Sequence, residues 1–485
     1  MLFTSFKFIF FFCSVFILYW ALRKNSKVQN GLLLIANYVF YGMAEWRMIP
    51  LLLVSTALFF WLAILIERNI KNERKSQIYS VIGIIIGIGI LLYFKYFNFF
   101  IQSFSDLFAA IGLKTNWHTF TILMPLGVSY FTFKLISYII EVYQENTPAT
   151  RNFVTFANYV AFFPTILAGP IDRPNSLISQ FAAAKAFSYQ TAVDGCRQIL
   201  CGVFKKVIIA DVIASAIDPV WADIGSSKAS TLVVCSFLYT IQVYNDFSGY
   251  SDMAIGLSKL LGINIVRNFN YPFFATNIAE YWRRWHMSLT SWLTDYVFTP
   301  LSFSFRKWGK YGIILATVIN MVLVGLWHGA NWTFVVFGLY QGLLFIPLII
   351  KGKISEAKIE VNKHDFPKIK TLAKMVGVFL LVSMGSVLFR AENLTSALHY
   401  YYGMINLSLF EIPEIPHIPF VCIVSVLVVL ILEWKHRDKE YMIMDIDQWG
   451  WVFKYSFVRN VIYCGMIFLV LLYGGEEQQF IYFQF

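Results

Sequence analysis

Of the seven histidines in this sequence, His328 stands apart because it is the only side chain titrating near neutral pH in a 40-residue apolar run, residues 311–350. A polar group placed in hydrocarbon costs free energy unless it is satisfied or used, so an intramembrane titratable residue is a candidate for function. The structural alternative is a histidine at a hairpin tip that caps a carbonyl. Burial disfavours the charged form, so the expected state is a neutral imidazole able to accept a proton. His286 closes the stretch Tyr281-Trp282-Arg283-Arg284-Trp285-His286. On a helix, Trp282, Trp285, His286, Leu289, Trp292 and Leu293 share one apolar stripe, opposite Arg283, Arg284, Ser288, Ser291 and Asp295. That pattern predicts an interfacial helix with indoles towards the acyl boundary and Arg283 and Arg284 as lipid-headgroup anchors. His286 lies at the edge of the stripe, able to face a site. His118, His364, His399, His417 and His436 lie near loops or span ends and read as solvated or interfacial.

Further polar candidates are Asn331 beside His328, Asn245, Asp246, Tyr250 and Asp252 around Gly249, and Asp172 with Arg173 after Gly169-Pro170. Structural roles suffice for several of these. Asp172 and Arg173 can pair at a membrane edge, and Asp246 is expected to cap a helix that follows a break at Gly249. No P-loop, GxSxG, HExxH or dinucleotide fingerprint occurs. The six cysteines form no CxxC pair, so no metal site is expected. Carboxylates are too few within the apolar runs for a proton-relay transporter. A membrane site with two histidines, no metal cluster and no nucleotide motif suits acyl transfer, in which a neutral imidazole deprotonates a hydroxyl and an activated thioester supplies the acyl group.

The elements that must position these residues follow from composition. The chain has 485 residues, 58% hydrophobic, 18% aromatic and 14% charged. Soluble domains carry about a quarter charged residues, so this chain cannot cover a soluble surface. Disorder requires the opposite balance. The net charge of +11 sits in short clusters beside apolar runs, as the positive-inside bias predicts, and is not a nucleic-acid signal. Residues 8–22 form an uncharged segment with no small-residue cleavage site after it, read as an uncleaved first span. The run 311–350 would make a helix of about 60 Å, twice the hydrocarbon thickness, so it must fold back at Gly329-Ala330-Asn331. Basic clusters at 23–27, 68–75, 306–310, 351–374 and 435–439 fall on one side if even numbers of spans separate them. This predicts ten to twelve crossings, the N-terminus outside the cytoplasm and the His328 turn towards the outer side. Pro125 with Gly127, Pro164 with Gly169-Pro170, and 246–249 interrupt apolar segments, and irregular backbone at membrane depth requires surrounding protein or a cavity.

The chain resembles the membrane-bound O-acyltransferase (MBOAT) family, in its bacterial alginate O-acetylation branch. The stretches that carry the resemblance are Met124-Pro125-Leu126-Gly127-Val128-Ser129-Tyr130-Phe131, Ala168-Gly169-Pro170-Ile171, and Asn245-Asp246-Phe247-Ser248-Gly249-Tyr250-Ser251-Asp252. The series continues with Tyr281 to His286, Gly325-Leu326-Trp327-His328-Gly329-Ala330-Asn331-Trp332, and Gln479-Phe480-Ile481-Tyr482-Phe483. The resemblance implies an all-α, polytopic membrane bundle with broken or re-entrant helices around a central funnel or tunnel. It makes His328 the essential motif histidine and His286 the second. Asn331, Trp327, Trp282, Trp285, Asp246 and Tyr250 become candidates for the substrate path. It also implies an acyl relay from a cytoplasmic donor, acetyl-CoA, through an SGNH-hydrolase-like outer partner to a polysaccharide hydroxyl, in a bacterial inner membrane and with no bound cofactor. One domain is expected, with N-terminal spans over 1–118, a core over 119–350, a cytoplasmic loop over 351–374 and C-terminal spans over 375–485. The alternatives are D-alanyl or peptidoglycan acyl transfer by the same fold, and a polysaccharide export subunit.

Overall fold

The computed structural model describes residues 2–113, 119–354, 366–415, 417–474, 478 and 480–481. His118, His364, Gln479, Tyr482 and Phe483 lie outside them. The described residues form helices and contain no strand. Six helical segments among them are long and apolar enough to cross a membrane: Ser26–Arg68, Glu73–Ala110, Lys310–His328, Trp332–Ile350, Ile369–Arg390 and Ser456–Tyr473. The other apolar runs form shorter, interrupted or more polar helices, so fewer long spans are seen than hydropathy alone predicts. The chain divides into two compact units, Met1–Ala192 with Leu257–Val266, and Val193–Gly256 with Arg267–Phe485.

In the first unit, the interruption around Pro164 separates helix Phe153–Ala161 from the short helix Phe163–Ile166. The Phe163 N–H has no partner one turn back, and Asn37 Oδ1 accepts it at 2.9 Å. Asn37 Nδ2 donates to Asn158 Oδ1 (2.9 Å), and Asn158 Nδ2 donates to the Asn30 carbonyl (3.0 Å). All three asparagines are buried, so broken backbone is satisfied by side-chain amides where water is absent. Asp172 is fully enclosed and accepts the Val266 N–H at 2.9 Å; the charge acting on it is Lys134. It therefore holds a chain crossing and is not half of an exposed pair with Arg173. The reason is burial: an enclosed carboxylate needs fixed donors.

In the second unit, the long apolar run folds back as expected. Helix Lys310–His328 ends at His328, and helix Trp332–Ile350 begins after a three-residue turn. The two lie in backbone contact because Gly325 and Gly338 face each other. A Cβ on Gly325 would stand 2.0 Å from the Phe334 carbonyl oxygen, and one on Gly338 2.3 Å from that of Met321. Small residues permit such approach where lipid offers no hydrophobic drive between helices.

The expected break at Gly249 is absent. Ala229–Leu260 is one 32-residue helix, and Asp246 lies in its middle, so it caps nothing. Gly249 serves a crossing: a Cβ there would meet the Gly202 carbonyl oxygen of helix Tyr189–Phe204 at 2.7 Å. Just past the crossing, a π-helical turn over Lys205–Asp211 brings two adjacent buried lysines against this helix. Lys205 Nζ lies 3.2 Å from Asp252 and 2.9 Å from Glu433, and Lys206 Nζ lies 2.8 Å from Asp211 and 2.7 Å from Asp246. Tyr244 Oη donates to Glu433 at 2.8 Å. Removing one member of such a network leaves an uncompensated buried charge. Lys205→Met should cost about 3–5 kcal/mol, seen as a lower midpoint of thermal unfolding in detergent. An unchanged midpoint would contradict a bracing role.

Candidate active site

His328 closes its helix at the turn and is 4% exposed, packed edge-on against Phe389 (centroids 4.9 Å apart) and Trp327 (5.1 Å). It lines a small cavity of about 40 Å³ together with Tyr239, Trp282, Trp285, Phe337 and Gln341, among others. The cavity is mostly aromatic, with few polar groups, the usual character of a small-ligand site. Trp282 is fixed in the wall by donating its indole N–H to Gln341 Oε1 at 3.2 Å. Trp285 is held by stacking on Tyr281 (5.5 Å, 17°) and by its edge contact with Phe269 (5.0 Å).

The continuous stripe predicted from Trp282 to Leu293 does not form. Helix Ile278–Arg284 stops, Trp285 is extended, and His286 adopts left-handed backbone (φ 44°, ψ 52°) before helix Met287–Leu293. Left-handed backbone costs a non-glycine residue on the order of 1–3 kcal/mol, so its surroundings must hold it there. The reversal places the His286 ring 6.3 Å from that of His328, with Trp327 against it at 5.3 Å and Phe247 at 4.7 Å. The two motif histidines, 42 positions apart in sequence, are thus neighbours. Burial pushes the His286 pKa down to about 3, so its ring is neutral.

The residue that holds this turn is Asn268, which the sequence analysis did not single out. It is fully buried, and its carbonyl oxygen accepts the Met287 N–H at 2.8 Å. Its Oδ1 accepts the Ser288 N–H (3.3 Å), the Ser288 hydroxyl (2.9 Å) and His286 Nδ1 (3.2 Å). A backbone N–H can only donate, so the Ser288 contact fixes which end of the amide is oxygen. The proton therefore resides on His286 Nδ1 and the lone pair on Nε2. No local pattern in the sequence marks Asn268, because its role depends on a segment 18 residues away meeting it in space.

The remaining candidates divide. Trp282, Trp285 and His328 line the cavity, while Trp327 packs edge-on against both imidazoles. Asn331 is the N-cap of helix Trp332–Ile350, accepting the Thr333 N–H at 3.1 Å, and donates to the Glu392 carbonyl at 2.7 Å. Asp246 and Tyr250 lie outside the cavity lining and secure the C-terminal segment: Asp246 accepts the Ile481 N–H at 2.8 Å, and Tyr250 stacks on Phe480 (4.7 Å, 27°). Arg284 is not an anchor for lipid headgroups; it is paired with Glu280 (3.0 Å) and donates to the Asn270 carbonyl (3.0 Å). The helix break turns it inward. Arg283 remains exposed and donates to the Ile354 carbonyl at 3.1 Å. Among the described residues, no group of three or more His, Cys, Asp or Glu side chains could hold a metal ion.

Residues 148–351 match the MBOAT, membrane-bound O-acyltransferase family. The chain is 38% identical over 419 residues to "Probable alginate O-acetylase AlgI" of Pseudomonas aeruginosa, covering 85% of this chain and 76% of the relative. It is 33% identical over 447 residues to the "Peptidoglycan O-acetyltransferase" of Helicobacter pylori, covering 84% and 80%. Identity to the "Teichoic acid D-alanyltransferase" of Bacillus subtilis is 33% over 232 residues, covering 45% and 57%. The chain belongs to the membrane-bound O-acyltransferase family. It is a multi-pass membrane enzyme that transfers acyl groups, and the reading as an export subunit is set aside.

Within this O-acyltransferase, the Asn268 contacts yield a specific expectation. Asn268→Asp would set a carboxylate against His286 Nδ1 and favour the imidazolium, since an adjacent opposite charge stabilises the protonated form. Acyl-transfer turnover in the variant should then fall most at low pH and recover as pH rises. A pH profile superimposable on that of the unaltered enzyme would refute the contact's influence on the ring.

Proposed function

We propose that this acyltransferase moves an acetyl group from a cytoplasmic thioester, acetyl-CoA, through the membrane for O-acetylation of an extracytoplasmic polysaccharide, with His328 as general base. The observation that carries the reading is a buried imidazole at the tip of a helical hairpin, lining an aromatic cavity beside a second, neutral imidazole. In this scheme His328 takes the proton from an acceptor hydroxyl as its oxygen attacks the thioester carbonyl carbon. The carbonyl electron pair moves onto oxygen. Collapse of the tetrahedral intermediate re-forms the carbonyl, breaks the C–S bond and returns the proton from His328 to the departing thiolate. Aromatic walls exclude water and so suppress hydrolysis of the thioester. His286 acts as the second imidazole, with Trp327 packed against both rings.

The name of the alginate relative supports polysaccharide as the final acceptor. An SGNH-hydrolase-like outer partner that completes the delivery belongs to this proposal through the family resemblance alone. The positive-inside pattern supports a bacterial inner membrane setting with the N-terminus outside the cytoplasm. A second reading, acetylation of peptidoglycan, is favoured by the extent of the match to the Helicobacter pylori enzyme, 80% of its length.

In a strain lacking the chromosomal copy, His328→Ala should leave the protein at its normal level in the membrane. Acetyl ester on the exported polymer should disappear, because general-base catalysis contributes roughly 10²–10⁴-fold. Retained acetylation would refute the role of His328. Mass spectrometry of envelope fractions from the deletion strain decides the acceptor, through the fraction in which ester mass is lost.

A further inference from the structure

The polar groups around the His328 cavity are mostly spent on one another. Thr240 Oγ1 donates to the Ser236 carbonyl at 3.0 Å and lies 3.1 Å from Ser386 Oγ, which itself donates to the Ser383 carbonyl at 2.7 Å. The Gln341 carbonyl accepts the Trp282 indole N–H. Tyr239 differs. Its side chain is completely buried, it lines the same cavity as His328, and its Oη has no hydrogen-bond partner among the described residues. A buried hydroxyl left without a partner is destabilising, because its lost hydration is not replaced.

The ring that carries this hydroxyl is immobilised. The Arg390 guanidinium lies over it at 5.2 Å and over the neighbouring Trp221 ring at 5.5 Å, and Asp218 holds that guanidinium at 2.6 Å. Trp221 in turn stacks on Tyr400 (4.2 Å, 18°) and lies 5.9 Å from Tyr239. The preceding residue, Phe389, is the one packed on His328. One short segment therefore fixes both the imidazole and the phenol. A cation over the ring face also draws electron density from it, which strengthens the O–H as a donor.

We infer that Tyr239 is a further catalytic residue, whose hydroxyl donates a hydrogen bond to the thioester carbonyl oxygen and to the oxyanion formed from it. The inference rests on His328 serving as base in this cavity. Attack by the acceptor oxygen puts negative charge on the carbonyl oxygen, and a preorganised donor in a water-excluded site stabilises that charge more than the ground-state carbonyl. Tyr239 keeps its proton throughout: the acceptor proton goes to His328 and from there to the thiolate. The unpartnered hydroxyl is then a group held ready for substrate.

Tyr239→Phe tests this, since it removes one oxygen atom and keeps the ring. With purified enzyme in detergent, acetyl-CoA as donor and transfer to acceptor as readout, kcat should fall roughly 10²-fold, as for loss of an oxyanion donor. KM should change little. The thermal midpoint should stay level or rise, because the lost hydroxyl had no partner to leave behind. A lowered midpoint would identify the hydroxyl as structural and overturn the inference, as would an unchanged kcat. Tyr239→Trp, which restores a ring N–H donor, provides a second measure: partial recovery of kcat over the Phe variant is expected, and none would count against a donor role. If His328→Ala retains activity, the reading of the site itself fails; if His328→Ala is inactive and Tyr239→Phe is not, only the present inference does.

Discussion

A polar side chain inside an apolar bundle is costly unless fixed protein groups replace the water it has lost, and this constraint shapes the described residues at several places. It is met in three ways. Asparagine amides satisfy interrupted backbone around Phe163, carboxylates pair with the buried Lys205 and Lys206, and Asn268 gathers three donors around the reversal at His286. Each solution is local, so the neighbouring aromatic surfaces can pack around it.

The same constraint bears on the His328 cavity. Thr240, Ser386, Trp282 and Gln341 are engaged with one another or with backbone, and helices in glycine-mediated contact leave the hairpin little freedom. What the cavity presents is an imidazole and a phenol on rigid supports. Rigid placement matters for acyl transfer because both the base and the groups receiving developing charge must stand in position before reaction.

Much of the fold was legible along the chain. The 40-residue run had to turn back at 329–331 because a single helix of that length overshoots the membrane, and it does. His328 was conspicuous through its isolation, and the motif set identified the family that the comparisons establish. Other readings failed for one physical reason: local pattern cannot see what an element packs against. Gly249 read as a break because glycine weakens helices, whereas its lack of a Cβ serves the crossing with Gly202. Asp246 read as a cap and is an ion-pair partner; Arg284 read as a surface anchor and is bound internally.

Hydropathy, charge placement and motif order by themselves determined that this is an all-helical membrane acyltransferase and which histidine to examine first, because those signals follow from the lengths and solvation energies of single segments. The partnership of His286 with His328, the hold of Asn268 on the turn and the place of Tyr239 in the cavity wall were decided by tertiary structure alone. Each depends on side chains separated by tens of residues arriving within a few ångströms of one another. That arrival is set by packing among helices, which no run of neighbouring residues encodes on its own.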